Sequence, residues 1–191
     1  MKKFLLGALI GLVWIVLSAG YVQDRYSTKP ILSDSPPEQK IVEFYKSNYP
    51  TAKGVPFIPE TAFWTRYYAR KIGTEEHFET MLSMWHRESA FDPKTDDGDS
   101  IGVTQTRRRY FKRLRKQWLK LGVTLPSIKT VQTQCAFGVL EFKQHLGYAK
   151  GDEIEAIRRY NGSGWRAKRY QKRVLRSRRI IFQIPEPEGA D

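Results

Sequence analysis

Glu88 is the residue of this chain whose setting first suggests chemistry. It follows Phe78, Met81, Leu82 and Trp85 at helical spacing and, seven residues after Met81, falls on the same apolar face. Thr74 reads as the N-cap of that helix, with Glu75 and Glu76 in its first turn. A carboxyl group at the far end of such a face points into the protein. Burial there disfavours the charged form and raises the pKa, which a general acid working near neutral pH requires. The alternative at this position is an ion pair with Arg87 or another arginine at a domain edge. Asp96, Asp97 and Asp99, grouped around Gly98, open a second possibility. One of them could be the water-activating carboxylate of an inverting muramidase, which stands about 6.5–9.5 Å from the acid. The plainer reading is a turn whose aspartates bond local amides. The ligand order of a calcium loop is absent. His86 lies two residues before Glu88, on the opposite face, and His77 and His145 lack ligand partners at metal spacing. The single cysteine, Cys135, sits in an apolar stripe as a small core residue; alone it makes neither an internal disulfide nor a cysteine-based zinc cluster. Ser89 lacks a triad or a nucleophile elbow. Nothing in this set calls for a metal or another cofactor.

Beyond Glu88 and Ser89 the chain passes through the acidic turn to Gly102, Val103, Thr104 and Gln105, and much later reaches Tyr160, Asn161 and Gly162 before a terminal helix. As a set, Glu-Ser at a helix end, Gly-x-x-Gln and Tyr-Asn-Gly resemble the three motifs of the soluble lytic transglycosylase domain. These are the goose-type-lysozyme-like enzymes that cut bacterial peptidoglycan. The resemblance covers roughly residues 60–180. It implies Glu88 as the catalytic acid and Ser89 as the neighbour that orients the sugar or the carboxyl group. It implies Gln105 as a cleft-lining amide, and Tyr160 with Asn161 as a wall that holds Glu88 and the substrate. It also implies a lyase, in which the substrate's acetamido group stabilises the cationic centre and the same glutamate then drives closure to a 1,6-anhydro sugar. Two positions depart from the pattern: Val103 and Thr104 stand where the family commonly has Leu-Met, and Arg159 where it usually has Ala. The residue types suit a hexosamine chain, whose acetamido groups, hydroxyls and apolar sugar faces are matched by amides and aromatics.

The elements that must position these residues are helices. Ile41, Phe44 and Tyr45; Phe63, Trp64, Tyr67 and Tyr68; Phe111, Leu114, Trp118 and Leu121, closed by Gly122; and Val131, Cys135, Val139, Phe142 and Leu146 all recur at helical spacing. A short helix is predicted near Asp152–Arg159 with Ile154 and Ile157 inward, and a basic one from about Trp165 to Phe182. The 191 residues, 40% hydrophobic and 13% aromatic, make one packed domain and exclude global disorder. The expected fold is mainly α, a lysozyme-like helical domain over 41–184. Residues 1–22 precede it, with Lys2 and Lys3 before an apolar run, and read as an export signal or a retained anchor. Residues 23–40 read as a polar, proline-bearing linker and 185–191 as a flexible tail.

The formal charge of +13 selects polyanionic partners. Arg166, Lys168, Arg169, Lys172, Arg173, Arg176, Arg178 and Arg179 crowd the last helix as a continuous cationic face with no intervening acid. Export and the absence of DNA-binding signatures argue against nucleic acid. The expected partners are peptidoglycan glycan strands, with an anionic membrane surface and envelope-spanning secretion or conjugation machinery left open. The expected protein is a peptidoglycan lytic transglycosylase of the cell envelope, periplasmic or anchored to the inner membrane, cutting the MurNAc-GlcNAc bond with Glu88 as single acid and base. The alternatives are a muramidase that uses a loop aspartate and a non-catalytic wall-binding or membrane-apposed scaffold.

Overall fold

The helical periodicities become seven α-helices in the computed structural model, which describes residues 36–184. The export segment, the linker reading as far as residue 35 and the tail at 185–191 lie outside the described residues. The helices are α1 (Pro37–Asn48), α2 (Ile58–Ile72), α3 (Phe78–Ser89), α4 (Phe111–Lys120), α5 (Val131–Tyr148), α6 (Glu153–Tyr160) and α7 (Gly164–Phe182). Between α3 and α4, β1 (Ser100–Ile101) pairs antiparallel with β2 (Thr106–Arg107), setting Ser100 opposite Arg107. The fold is mainly α, as expected. Helix α1 begins inside the segment read as linker, because Pro37 occupies a first-turn position, where a missing N–H costs nothing.

The chain from Val131 to Leu140 carries no charge, so α5 can be buried on almost every side and becomes the axis of the domain. Thr130 caps it by accepting a hydrogen bond from the Thr133 N–H. Helices α2 and α6 pack along α5, and α3 packs against α7. Trp85, Trp118, Tyr45, Tyr68, Phe137 and Phe142 are fully buried between these layers. Each such side chain contributes on the order of 2 kcal/mol by burial. The indole donors are satisfied: Trp85 Nε1 donates to Thr65 Oγ1 at 3.1 Å and Trp118 Nε1 to the Ala136 carbonyl at 2.9 Å. Cys135 is a core residue, its thiol pushed up to about 12 chiefly by burial.

Two stripes face differently from the expectation. Ile154 is 50% exposed, since the eight-residue α6 buries only Ala156 and Ile157. Phe63 and Tyr67 are exposed as well, because α2 turns Ala62, Thr65, Tyr68 and Ala69 inward and leaves those two rings stacked together outside. The cationic face of α7 is also shorter than its sequence suggests. Arg178 Nη1 donates to Glu153 Oε2 at 2.9 Å, while Glu153 Oε1 accepts from Thr80 Oγ1 and lies 2.7 Å from His77 Nδ1. This cluster binds α7 to α6 and α3. Among the described residues no helix is long and apolar enough to cross a membrane.

Candidate active site

Helix α3 delivers Glu88 one residue before its end, and the chain then leaves through two consecutive left-handed residues, Ala90 at φ 51° and Phe91 at φ 66°. Neither is glycine, so this exit stores backbone strain of a kind that persists only where packing enforces it. The packing is visible. Phe91 is fully buried against Tyr45, and Gly54 lies so close that a Cβ there would sit 1.8 Å from the Ala90 carbonyl oxygen.

The Glu88 carboxyl does not pair with Arg87, which is exposed; it accepts a hydrogen bond from the Tyr170 hydroxyl at 2.5 Å. The residue as a whole is half-buried, but protein crowds its carboxyl, and that desolvation pushes its pKa up to about 7. The Tyr170 bond opposes the shift, while the negative charges of Glu141 and Asp97 add to it. Glu141 is a second buried carboxyl on α5, also pushed up to about 7 by burial, although Arg113 draws it back. Its Oε2 has no hydrogen-bond partner among the described residues. Burial pushes the pKa of the Tyr160 phenol well up, and the charges of Glu141 and Glu88 add to the rise. Its ring sits against Trp85 and His145, and its hydroxyl donates to the Thr104 carbonyl at 2.8 Å.

The second motif is seated by a buried amide. Gln134 on α5 accepts from the Val103 N–H at 2.9 Å and donates to the carbonyls of Pro93 and Ile128. Gly102, at φ 80°, lets that amide approach, for a Cβ there would stand 2.2 Å from its carbon. Ser89 Oγ donates to the Val103 carbonyl at 2.8 Å, so its hydroxyl braces the loop and is not directed at the Glu88 carboxyl. Gln105 donates from Nε2 to the carbonyls of Thr95 and Gly102; what it can offer a sugar is its carbonyl oxygen. Asn161 is exposed at the end of α6 and lines an open groove with Trp165, Arg166, Arg169, Tyr170 and Arg173.

Val103 and Thr104, the departures from the Leu-Met pattern, are both fully buried. Thr104 Oγ1 donates to the Gln134 carbonyl and meets Thr106 Oγ1 at 3.0 Å, and its methyl group fits against Gly138 of α5. A Cβ on Gly138 would lie 2.5 Å from Thr104 Cγ2 and 2.8 Å from the Trp85 ring. Gly138→Ala should therefore cost about 1–3 kcal/mol by overpacking and lower the melting temperature by roughly 3–10 °C. Thr104→Ser in the same chain removes the crowded methyl and should recover part of the loss. A melt of Gly138→Ala equal to the wild type would refute this packing.

The acidic turn is held locally. Asp97 Oδ1 accepts from the N–H groups of Asp99 and Ser100, and Asp96 accepts from Gly98 and pairs with Arg108 at 2.5 Å. His86 is half-buried on the far side of α3, in a short contact from Nδ1 to the Tyr45 hydroxyl, and burial pulls its pKa down to about 4. The structure thus brings Glu88, Ser89, the Gly102–Gln105 turn and Tyr160 together around one helix end, and adds Tyr170 and Glu141, which sequence reasoning missed. Each left a signal: Glu141 is the first charge after ten uncharged residues of α5, and Tyr170 shares the inward face of α7 with Ala167, Val174, Ser177 and Ile181. No three His, Cys, Asp or Glu side chains among the described residues gather as a metal site. No family model matches this chain, and no curated protein or solved structure matches it.

Proposed function

We propose that the protein is an exported lytic transglycosylase with a lysozyme-like domain, cleaving the glycan strand of peptidoglycan without water. The observation that carries the reading is Glu88: a desolvated carboxyl group at a helix end, held by Tyr170, with its pKa pushed up to about 7. At that pKa it is protonated often enough near neutrality to act as an acid and ionised often enough to act as a base. Protonated Glu88 gives its proton to the glycosidic oxygen as the bond to the anomeric carbon breaks, while the carbonyl oxygen of the substrate's acetamido group bonds to that carbon. The Glu88 carboxylate then takes the proton of the 6-hydroxyl, whose oxygen displaces the acetamido oxygen. One proton leaves the glutamate and one returns, so the step is an internal rearrangement without hydrolysis.

The hydrolytic alternative needs a carboxylate that activates water. Asp97 is the aspartate whose charge reaches Glu88, yet its Oδ1 is taken by two backbone amides. Mass spectrometry of products from purified sacculi separates the readings: anhydro ends support the transglycosylase, reducing ends the muramidase, and no products the scaffold. Replacing Asp96, Asp97 and Asp99 together with Asn should leave anhydro ends as the product and change the rate only modestly. A collapse of rate comparable to loss of Glu88 would transfer the assignment to the muramidase.

A further inference from the structure

Helix α7 opens with a feature that folding does not explain. Arg166, Arg169 and Arg173 lie at i, i+3 and i+7, on one face of the helix, and all three are exposed. No ion pair joins any of them to another described residue, in contrast to Arg178 on the same helix. Arg166 stands in the first turn, where a cation opposes the helix dipole, and Arg169 and Arg173 repel each other at i, i+4. The arrangement therefore costs the free helix stability. Trp165, 66% exposed, has the Arg166 guanidinium 5.6 Å from its ring centroid. These four residues, with Asn161 and Tyr170, line an open groove of about 280 Å³.

Tyr170 lines the groove and its hydroxyl bonds Glu88 at 2.5 Å, so the groove lies one side chain away from that carboxyl. Guanidinium forks match carboxylates in a bidentate manner, and an exposed indole offers a flat face to a sugar or a methyl-bearing chain. We infer that the groove of Arg166, Arg169, Arg173 and Trp165 is a subsite for the carboxylates of peptide stems borne by the glycan beside the scissile bond, and that it makes the enzyme prefer stem-bearing over stripped strands. The inference rests on the glycan reading of the Glu88 cleft. An anionic lipid surface is the competing occupant; the adjacency to Tyr170 favours an anion carried on the substrate itself.

The test uses the full chain carrying Glu88→Gln, which binds without turnover, and calorimetric titration with two probes. One is a peptidoglycan tetrasaccharide with its tetrapeptide stems; the other is the same tetrasaccharide after amidase removal of the stems. The stem-bearing probe should bind at least about tenfold tighter at 0.1 M salt and lose much of that margin at 1 M, where the Debye length falls to about 3 Å. Adding Arg166→Gln, Arg169→Gln and Arg173→Gln should erase the margin, whereas Lys116→Gln, Lys120→Gln and Lys129→Gln, which remove equal charge from exposed positions outside the groove, should preserve it. If the triple arginine variant fails to fold by circular dichroism, Arg169→Gln alone should still lower the margin at least threefold. Equal affinity for the two probes, or equal loss in the arginine and lysine triples, overturns the subsite and leaves the cleft reading standing. Binding of neither probe overturns both. If the arginine triple keeps the margin but no longer sediments with phosphatidylglycerol vesicles, the groove is a lipid contact and the inference is wrong.

Discussion

Glu88→Gln should reduce turnover of sacculi by at least about 10²–10⁴, the usual share of general acid catalysis, while leaving the fold intact. The amide retains the shape of the side chain and a carbonyl oxygen that can accept from Tyr170, so the 2.5 Å contact that seats the group can survive. What it loses is the transferable proton, which the proposed reaction needs once for the leaving oxygen and once, in reverse, for the 6-hydroxyl. The wild-type rate should also fall above about pH 7, where the carboxyl ionises and the acid form becomes scarce. Turnover above a tenth of wild type in the variant, with an unchanged circular dichroism spectrum, would remove Glu88 from its role.

The position of Glu88 was legible because it depends on one helix only. A period of 3.6 residues, read from Phe78 to Trp85, sets the azimuth of residue 88 without knowledge of any partner. The loop residues were legible as a group, but not in their bonds. Ser89 and Gln105 have the chemistry to meet a sugar, yet their donors serve the carbonyls of Val103, Thr95 and Gly102. Which acceptor a hydroxyl or amide finds depends on a turn built from left-handed residues such as Gln105 at φ 47°, a conformation that no local rule assigns to glutamine. Tyr170 and Glu141 were hidden for another reason. Each acts on Glu88 only through tertiary packing, α7 lying on α3 and α5 bringing the Glu141 charge within reach, and a period identifies a face without naming its neighbour. The same limit explains Ile154, Phe63 and Tyr67: apolar spacing marks a stripe wider than the surface the partner helices cover.

Removing both buried acids should stabilise the protein at alkaline pH and not at acid pH. Glu88 and Glu141 ionise near 4.5 in the unfolded chain and near 7 in the folded one, so between those values the native state holds more protons. Excess protons on the native side make stability fall as pH rises. The loss begins as pH passes about 4.5, is complete near 7 and stays constant above. His86 works in the opposite direction over part of this window: its folded pKa near 4 lies below the ordinary 6.5, so stability rises as pH climbs from 4 to 6.5, and His145, also lowered by burial, adds to the rise. The wild-type curve alone is therefore a sum of opposed slopes. The difference between wild type and Glu88→Gln/Glu141→Gln isolates the carboxyls, because the histidines are common to both chains and any fixed cost of the new amides shifts the curve without tilting it. Each pKa unit is 1.36 kcal/mol, but the two acids repel each other and titrate as a pair, and Glu88 retains some contact with solvent. The expected gain of the double variant from pH 4.5 to 8 is several kcal/mol, or roughly 5–15 °C in melting temperature. The gain should appear between pH 4.5 and 7 and level off beyond. Parallel curves for the two proteins across that range would mean that neither carboxyl holds its proton in the fold, and the acid assigned to the cleft would be an ordinary surface glutamate.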